Sequence, residues 1–469
     1  KTVCLIKAIS MTENGENKMN ASVGMFNTFL TCHWFSDEAK EIWSDFNTLQ
    51  GWLDVEVALA KAQAELDMIP ADAAQVIAQK ADASLFDMDR IAKGIKETMH
   101  PLVPFLHQFE EICGKEAGAY IHWGATTQNI IDAGAVLQLR KSHKLLMKGL
   151  DDVLVQLAAL ADKNKATPQA GRTHGQHALP ITFGFKVAAW HEEVRRHYGR
   201  LTLAAHDAFS VSMGGAVGTF ASMEGKGRAV QDKMALEFNL VSPVVPVRTS
   251  CDSLSAYLCT LGLMGATFEK IAREIIFLQR TEIDEVEEQF HYGKIGSSTM
   301  PQKKNPQQAM NIVTMAQMLR SRMGLAGMSM VRMNEGYAAQ EHLIDLLLPE
   351  VSIFAISIVE NMAQLSSGLK VNADRMLENL NATGGLILSE SVMLELARYI
   401  GRPAAHHAIY NAALASADKG ITFETAIHAE LADQQLPDEL DLKTLLVPQN
   451  YLGEAQDCVE RETGSGPVY

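Results

Sequence analysis

Three short polar segments, far apart in the chain, carry residue types that can do chemistry. The first is His122-Trp123-Gly124-Ala125-Thr126-Thr127-Gln128-Asn129. Hydroxyls, a side-chain amide and free N–H groups at the start of a helix can hold a carboxylate. Thr and Asn in the same place also serve as plain helix caps. The second is Gly171-Arg172-Thr173-His174-Gly175-Gln176-His177-Ala178-Leu179-Pro180, in which two histidines flank a Gly and a Gln in a turn ahead of a helix. Imidazole suits proton transfer near neutral pH, and a hydrogen-bonded structural histidine would look the same. The third is Gly296-Ser297-Ser298-Thr299-Met300-Pro301-Gln302-Lys303-Lys304-Asn305-Pro306, which follows an acidic stretch over 282–288. Gly293 and Gly296 free the backbone there, and Lys303 and Asn305 stand just before a helix expected to open at Pro306. Such a segment can carry an anion, a hydroxyl nucleophile or base, and a lid hinge together. It lacks the GxxxxGK[ST] order of a nucleotide-binding loop.

Long helices must position these segments. Proline breaks helix interiors, and the runs 104–168, 180–243, 246–301, 306–349 and 349–403 have none between their end prolines. Each reads with a helical period. Val136, Leu139, Leu146, Leu150, Val153, Leu157 and Leu160 form one apolar stripe, and Leu254, Leu258, Leu261, Met264, Phe268, Ile271, Ile275 and Leu278 another, the latter behind Ser250 as N-cap. Asn305-Pro306 reads as a cap followed by a first helical position. The methionines of the next run, Met310, Met315, Met318 and Met323, read as core or subunit interface. No segment shows sustained strand alternation with hairpin turns. The predicted fold class is all-α: a subunit of three domains, 1–120, 121–370 and 371–469, with a central bundle of long helices. Helices of this length expose apolar faces that a single slim subunit cannot bury, so a bundle shared between subunits is expected.

Composition bounds the partners. The 469 residues are 47% hydrophobic and 21% charged, with a net charge of −15, so the surface disfavours nucleic acid while a locally positive site can still take an anion. The six cysteines form no CxxC pair and no zinc-spaced cluster, which fits a reducing compartment. No apolar run reads as long enough for a membrane span, and the stretch from Val3 to Ile9, interrupted by Lys7, is too short for a signal peptide. A cytoplasmic protein with no membrane partner is expected.

The third segment resembles the signature of the fumarase/aspartase superfamily, GSSxMPxKxNP, with every fixed position filled. The second resembles that family's THxQ-type segment, especially as adenylosuccinate lyases have it, together with Phe183-Gly184-Phe185-Lys186 and Trp190-His191-Glu192-Glu193. The first is similar to the family's GATSxD segment, with Thr127 for Ser and Asn129 for Asp. Asn379-Leu380-Asn381-Ala382-Thr383-Gly384-Gly385-Leu386-Ile387 and Asn450-Tyr451-Leu452-Gly453 look instead like 3-carboxy-cis,cis-muconate cycloisomerases.

The resemblance implies a homotetramer with a core of about twenty long helices, and active sites each assembled from three subunits. It implies anti elimination from a small dicarboxylate, with release of fumarate from a C–N bond, and neither a metal nor an organic cofactor. Residue by residue, Ser297 is the implied base, helped by Lys303 and by the helix end at Pro306. His174 is the implied acid, or orients the leaving side. Lys303, Asn305, Thr126, Thr127 and Gln128 are implied carboxylate contacts, and His100, Thr173 and Gln176 complete the substrate-binding set. Two departures bear on the leaving group. Many relatives place a glutamate four residues after the last signature proline, where this chain has Met310. The stretch Arg332-Met333-Asn334-Glu335-Gly336-Tyr337 lacks the acidic-Arg-Asp pattern of both branches. A lactonising cycloisomerase and a non-catalytic paralogue are the alternatives.

Overall fold

The computed structural model describes residues 25–290, 296–432 and 440–464. Five long helices form its centre: α1 (Thr127–Lys163), α2 (Phe183–Ala208), α3 (Asp252–Leu278), α4 (Gln307–Ser321) and α5 (Ala338–Gly368). The stripes expected from the sequence face inward, with Leu146, Leu150, Val153, Leu157, Leu261, Met264, Phe268 and Ile271 in one core. Packing runs α1 on α5 and α2, α3 on α2 and α4, and α4 on α5. Among the described residues the fold is all-α apart from two small ribbons and an isolated bridge between Ser210 and Val241.

Three local readings change. The N-cap of α3 is Cys251 rather than Ser250, and its side chain makes no capping bond. α4 begins at Gln307, one residue late, with Pro306 in the cap position; its first N–H groups go instead to the carboxylate of Glu288, from Gln308 at 3.1 Å and Ala309 at 2.7 Å. α5 runs straight through Pro349. A proline inside a helix costs about 3 kcal/mol, and here apolar burial on both sides of it, from Ile344 to Val351, Phe354 and Ile358, outweighs that loss. The same helix is long and apolar enough to cross a membrane, with mean hydropathy 1.8 over its best window. That corrects the reading that no run reaches this length. Two thirds of that window, 67%, is buried inside the protein, as in a core helix.

The second polar segment forms a hairpin that the sequence pattern concealed. β1 (Pro168–Thr173) pairs antiparallel with β2 (Gln176–Thr182), from Pro168 opposite Thr182 to Thr173 opposite Gln176. The two turn residues, His174 and Gly175, have φ of 53° and 78°, the left-handed pair that closes a two-residue hairpin. Thr182 then caps α2, its hydroxyl accepting from Phe185 N at 3.1 Å. A second ribbon joins β3 (Val286–Glu287) to β4 (Lys370–Val371).

Flanking helices complete the chain. Asp45–Ala64, Ala71–Lys80 and Val103–Gly118 pack around Phe86, Phe105 and Phe109, and their core also takes in Val211, Met213, Met223, Val230 and Met234. Ser389–Ile400, Arg402–Lys419 and Phe423–Glu430 have a small core of their own around Leu396, Ile409 and Phe423. The last helix, Ala455–Gly464, returns to the bundle, where Glu462 accepts from His191 Nδ1 at 2.8 Å and Arg195 Nε at 2.9 Å.

Candidate active site

The first polar segment is a braced turn feeding the start of α1. His122 is structural: its ring lies 2.7 Å from the buried Glu56 carboxylate, which also accepts its backbone N–H at 3.0 Å. Gln63 donates to the Trp123 carbonyl at 2.6 Å. Asn129 accepts from Thr126 N at 3.1 Å and Gly215 N at 3.2 Å, and donates to the Ser212 carbonyl at 3.1 Å. Thr126 and Asn129 therefore cap α1 and tie it to the loop around 212–215. Gln128 turns its amide to Asp132, at 2.7 Å. Thr127 points elsewhere, to His100 Nε2 at 3.4 Å. His100 Nδ1 accepts from Leu102 N at 3.3 Å and Val103 N at 3.2 Å, so the ring proton sits on Nε2. That N–H then donates to the Thr127 hydroxyl, whose own proton is left free to point outward at a carboxylate oxygen.

The second segment presents Thr173, His174 and Gln176 at the exposed hairpin tip. Its base is rigid. Arg172 forks onto the buried Glu285 carboxylate and lies over the Phe277 ring, 5.6 Å from its centre. His177, opposite Arg172 in the ladder, is half-buried; burial, then the Arg172 charge, holds its imidazole below the usual range.

The third segment is a tight loop closed on itself. Ser297 Oγ accepts backbone N–H groups from Thr299 at 3.3 Å and Met300 at 3.1 Å. Asn305 donates to the Gly296 carbonyl at 2.6 Å and so ties the loop's two ends together. A Cβ on Gly296 would lie 2.1 Å from the Lys303 carbonyl, so only glycine fits. The Lys303 side chain is exposed, with no ion-pair partner among the described residues. The neighbouring acids are engaged rather than free for a lid: Glu287 holds Lys304 at 2.7 Å and Lys370 at 3.4 Å, and Glu288 caps α4. Gly293 lies outside the described residues. The N–H groups around Ser297 Oγ are the loop's own, and the start of α4 is already filled by Glu288.

Beside the first segment lies a cavity of about 340 Å³ whose wall includes Asn129, Asp132, Ser212, Arg248, Arg332 and Asp345. One terminal nitrogen of Arg248, Nη2, donates to both oxygens of Glu341 at 2.9 Å, and Arg332 donates to the Arg248 and Ser329 carbonyls. Burial pushes Asp132 up to about 6, with the nearby Asp345 charge adding to it. Asn129 and Arg332 stand out in the sequence, but nothing there joins them to this wall, whose residues are scattered over two helices and three loops. Among the described residues no group of three or more His, Cys, Asp or Glu is placed to hold a metal ion, and no hydrogen bond joins the three polar segments within one chain.

Comparison with known proteins gives consistent matches. Residues 32–320 match the family described as "Lyase", and residues 385–462 the one described as "Adenylosuccinate lyase C-terminus". The N-acetyl-S-(2-succino)cysteine lyase of Dickeya dadantii is 36% identical over 425 residues, 90% of this chain and 93% of its own length. The adenylosuccinate lyase of Methanothermobacter thermautotrophicus is 36% identical over 432 residues, 90% of this chain and 95% of its own. The crystal structure of the 3-carboxy-cis,cis-muconate lactonizing enzyme from Pseudomonas putida superposes with a TM-score of 0.87 at 31% identity, covering 93% of this chain and 98% of that one.

Proposed function

The chain belongs to the lyases of the fumarase/aspartase superfamily, on the side that holds adenylosuccinate lyases and carboxymuconate cycloisomerases, and on that premise we propose that it eliminates a leaving group from a succinyl-type dicarboxylate and releases fumarate. The observation that carries this reading is the loop geometry at Ser297. A serine hydroxyl is a poor base, and two backbone N–H groups aimed at its oxygen favour the alkoxide. Ser297 removes the proton on the carbon next to one carboxylate, while the exposed Lys303 ammonium and the Thr127 hydroxyl, held by His100, offer donors for the charge that builds on the carboxylates. The electron pair then forms the double bond and expels the leaving group from the other side.

The sequence reading favoured an amine as leaving group. Met310 supports a thiolate instead. It stands on α4 where many relatives carry a carboxylate, and its side chain is 43% exposed in the single chain, so no acid at this position assists a proton donor. A thiol with a pKa of about 8.5 leaves as its anion far more readily than an amine. The similarity to a succinyl-cysteine lyase is in keeping with that choice. The cycloisomerase-like segment gives little support for lactonisation, because Asn379 is spent on the Ile283 carbonyl at 2.7 Å and Glu285 at 2.9 Å, a packing role.

The active form is a cytoplasmic homotetramer in this reading, with each site shared between subunits. Among the described residues no hydrogen bond joins the segments of Thr127, His174 and Ser297 within one chain, and the long helices leave Val155, Leu203, Leu263 and Leu346 exposed, apolar side chains suited to helix–helix association. The test is fumarate absorbance on mixing the protein with an S-succinyl thioether, an N-succinyl amine and 3-carboxymuconate. Faster release from the thioether is the expected result. Lactone from carboxymuconate without fumarate from either succinyl compound would overturn the reading.

A further inference from the structure

We propose that Glu285, which the chemistry above does not use, is a positioning residue for the leaving-group side of the reaction, acting through Arg172 on the hairpin that carries His174. The inference rests on the fumarate-releasing reading and deepens it. Glu285 is fully buried, and a buried carboxylate persists only where every oxygen is satisfied. Its donors come from three places: both terminal nitrogens of Arg172, Gln169 at 2.6 Å and Asn379 at 2.9 Å. The first two lie on β1, the third on the helix Ala373–Asn381.

The consequence for His174 follows from the hairpin. Arg172 stands two residues before it, pinned on one side by the fork and on another by the Phe277 ring. The connection is the tightest possible, two residues with both φ positive, so the tip has no slack of its own. Its direction is set at its base. Glu285 also opens the segment that holds the signature loop: β3 follows it, Glu287 pairs with Lys304, and Glu288 caps α4. One buried charge thus ties the hairpin base to β3 and, three residues on, to the start of α4.

The same contacts would serve an inert structural strut, so the test must separate the two roles. Proton donation to the leaving group matters when that group is a strong base and little when it is a weak one. Succinyl adducts of an aryl thiol, an alkyl thiol and an alkyl amine span that range. In Glu285→Gln, fumarate release from the amine adduct falls about 10²-fold, the low end for a displaced acid–base group, and release from the alkyl-thiol adduct, whose leaving group is a weaker base, falls less. Release from the aryl-thiol adduct stays within about 3-fold of the unaltered protein, because its leaving group needs no proton. Arg172→Lys keeps the buried charge and loses the fork; it gives the same pattern and decides the question if Glu285→Gln does not fold. An equal loss on all three substrates, as a reduced folded fraction would produce, overturns the proposal, and so does no loss on any. If the unaltered protein releases no fumarate from any adduct, the fumarate-releasing reading fails and this inference falls with it.

Discussion

Asp132→Asn will make the protein more stable at pH 8 and change little at pH 4. Asp132 lines the cavity beside the first polar segment, with Asp345 and Glu341 close by. Burial lifts its carboxyl from 3.8 to about 6. A raised carboxyl value means that the folded chain prefers the protonated form. Stability is therefore greatest below about pH 4, where both folded and unfolded chains are protonated, and falls as pH rises through about 6. The rise is worth about 3 kcal/mol against the ionised form, and water reaching the cavity lowers the net figure to about 1–2 kcal/mol. Asn removes that charge while its carbonyl still accepts from Gln128, now 2.7 Å from Asp132. Matched thermal scans of the two proteins at pH 4 and pH 8 give the answer. The variant's midpoint should stand a few degrees higher at pH 8, in line with a gain of this size, and nearly coincide at pH 4. A variant no more stable at pH 8 than the unaltered protein would refute the reasoning.

Other outcomes follow from the same geometry. His100→Ala loses the acceptor for Leu102 N and Val103 N, so it costs about 1 kcal/mol of stability, and it raises KM more than it lowers kcat; an unchanged KM would remove His100 from the substrate site. Met310→Glu is tolerated, within about 0.5 kcal/mol, because the position is exposed. With a carboxylate placed to hold an imidazolium proton, the alkaline fall of the rate moves to higher pH and N-succinyl amines gain relative to thioethers; an identical profile in the folded variant would show that residue 310 and His174 do not meet. Light scattering at micromolar concentration gives the mass of four chains, and a monomer would sink the shared site.

The bundle was legible because its stripes repeat over many turns, but Pro349 read as a break between two runs and so hid α5 as one continuous helix. The signature loop was legible as a continuous string of residues. What surrounds it was not. The carboxylates of the 282–288 stretch look like surface charge in sequence, yet Glu285 is the most enclosed of them and Glu288 does the capping expected of Asn305. Their partners, Arg172, Asn379 and the N–H groups of α4, are remote in sequence, and no local pattern announces them. The hairpin was missed for a different reason: β1 and β2 are short, carry Gly and Pro, and lack alternation, while the left-handed His174-Gly175 pair is visible only as backbone geometry. Ser212, Arg248 and Asp345 share a cavity through packing alone.

The most direct test of the account is a single-turnover measurement of fumarate formation from an S-succinyl thioether by the unaltered protein and by Ser297→Ala, with substrate affinity measured alongside by calorimetry. The account predicts that the rate falls by at least about 10²-fold, as loss of a positioned base requires, while the dissociation constant stays within about 3-fold, because the serine acts on the proton and not on ground-state binding. A folded Ser297→Ala variant that keeps more than about a tenth of the rate would contradict it.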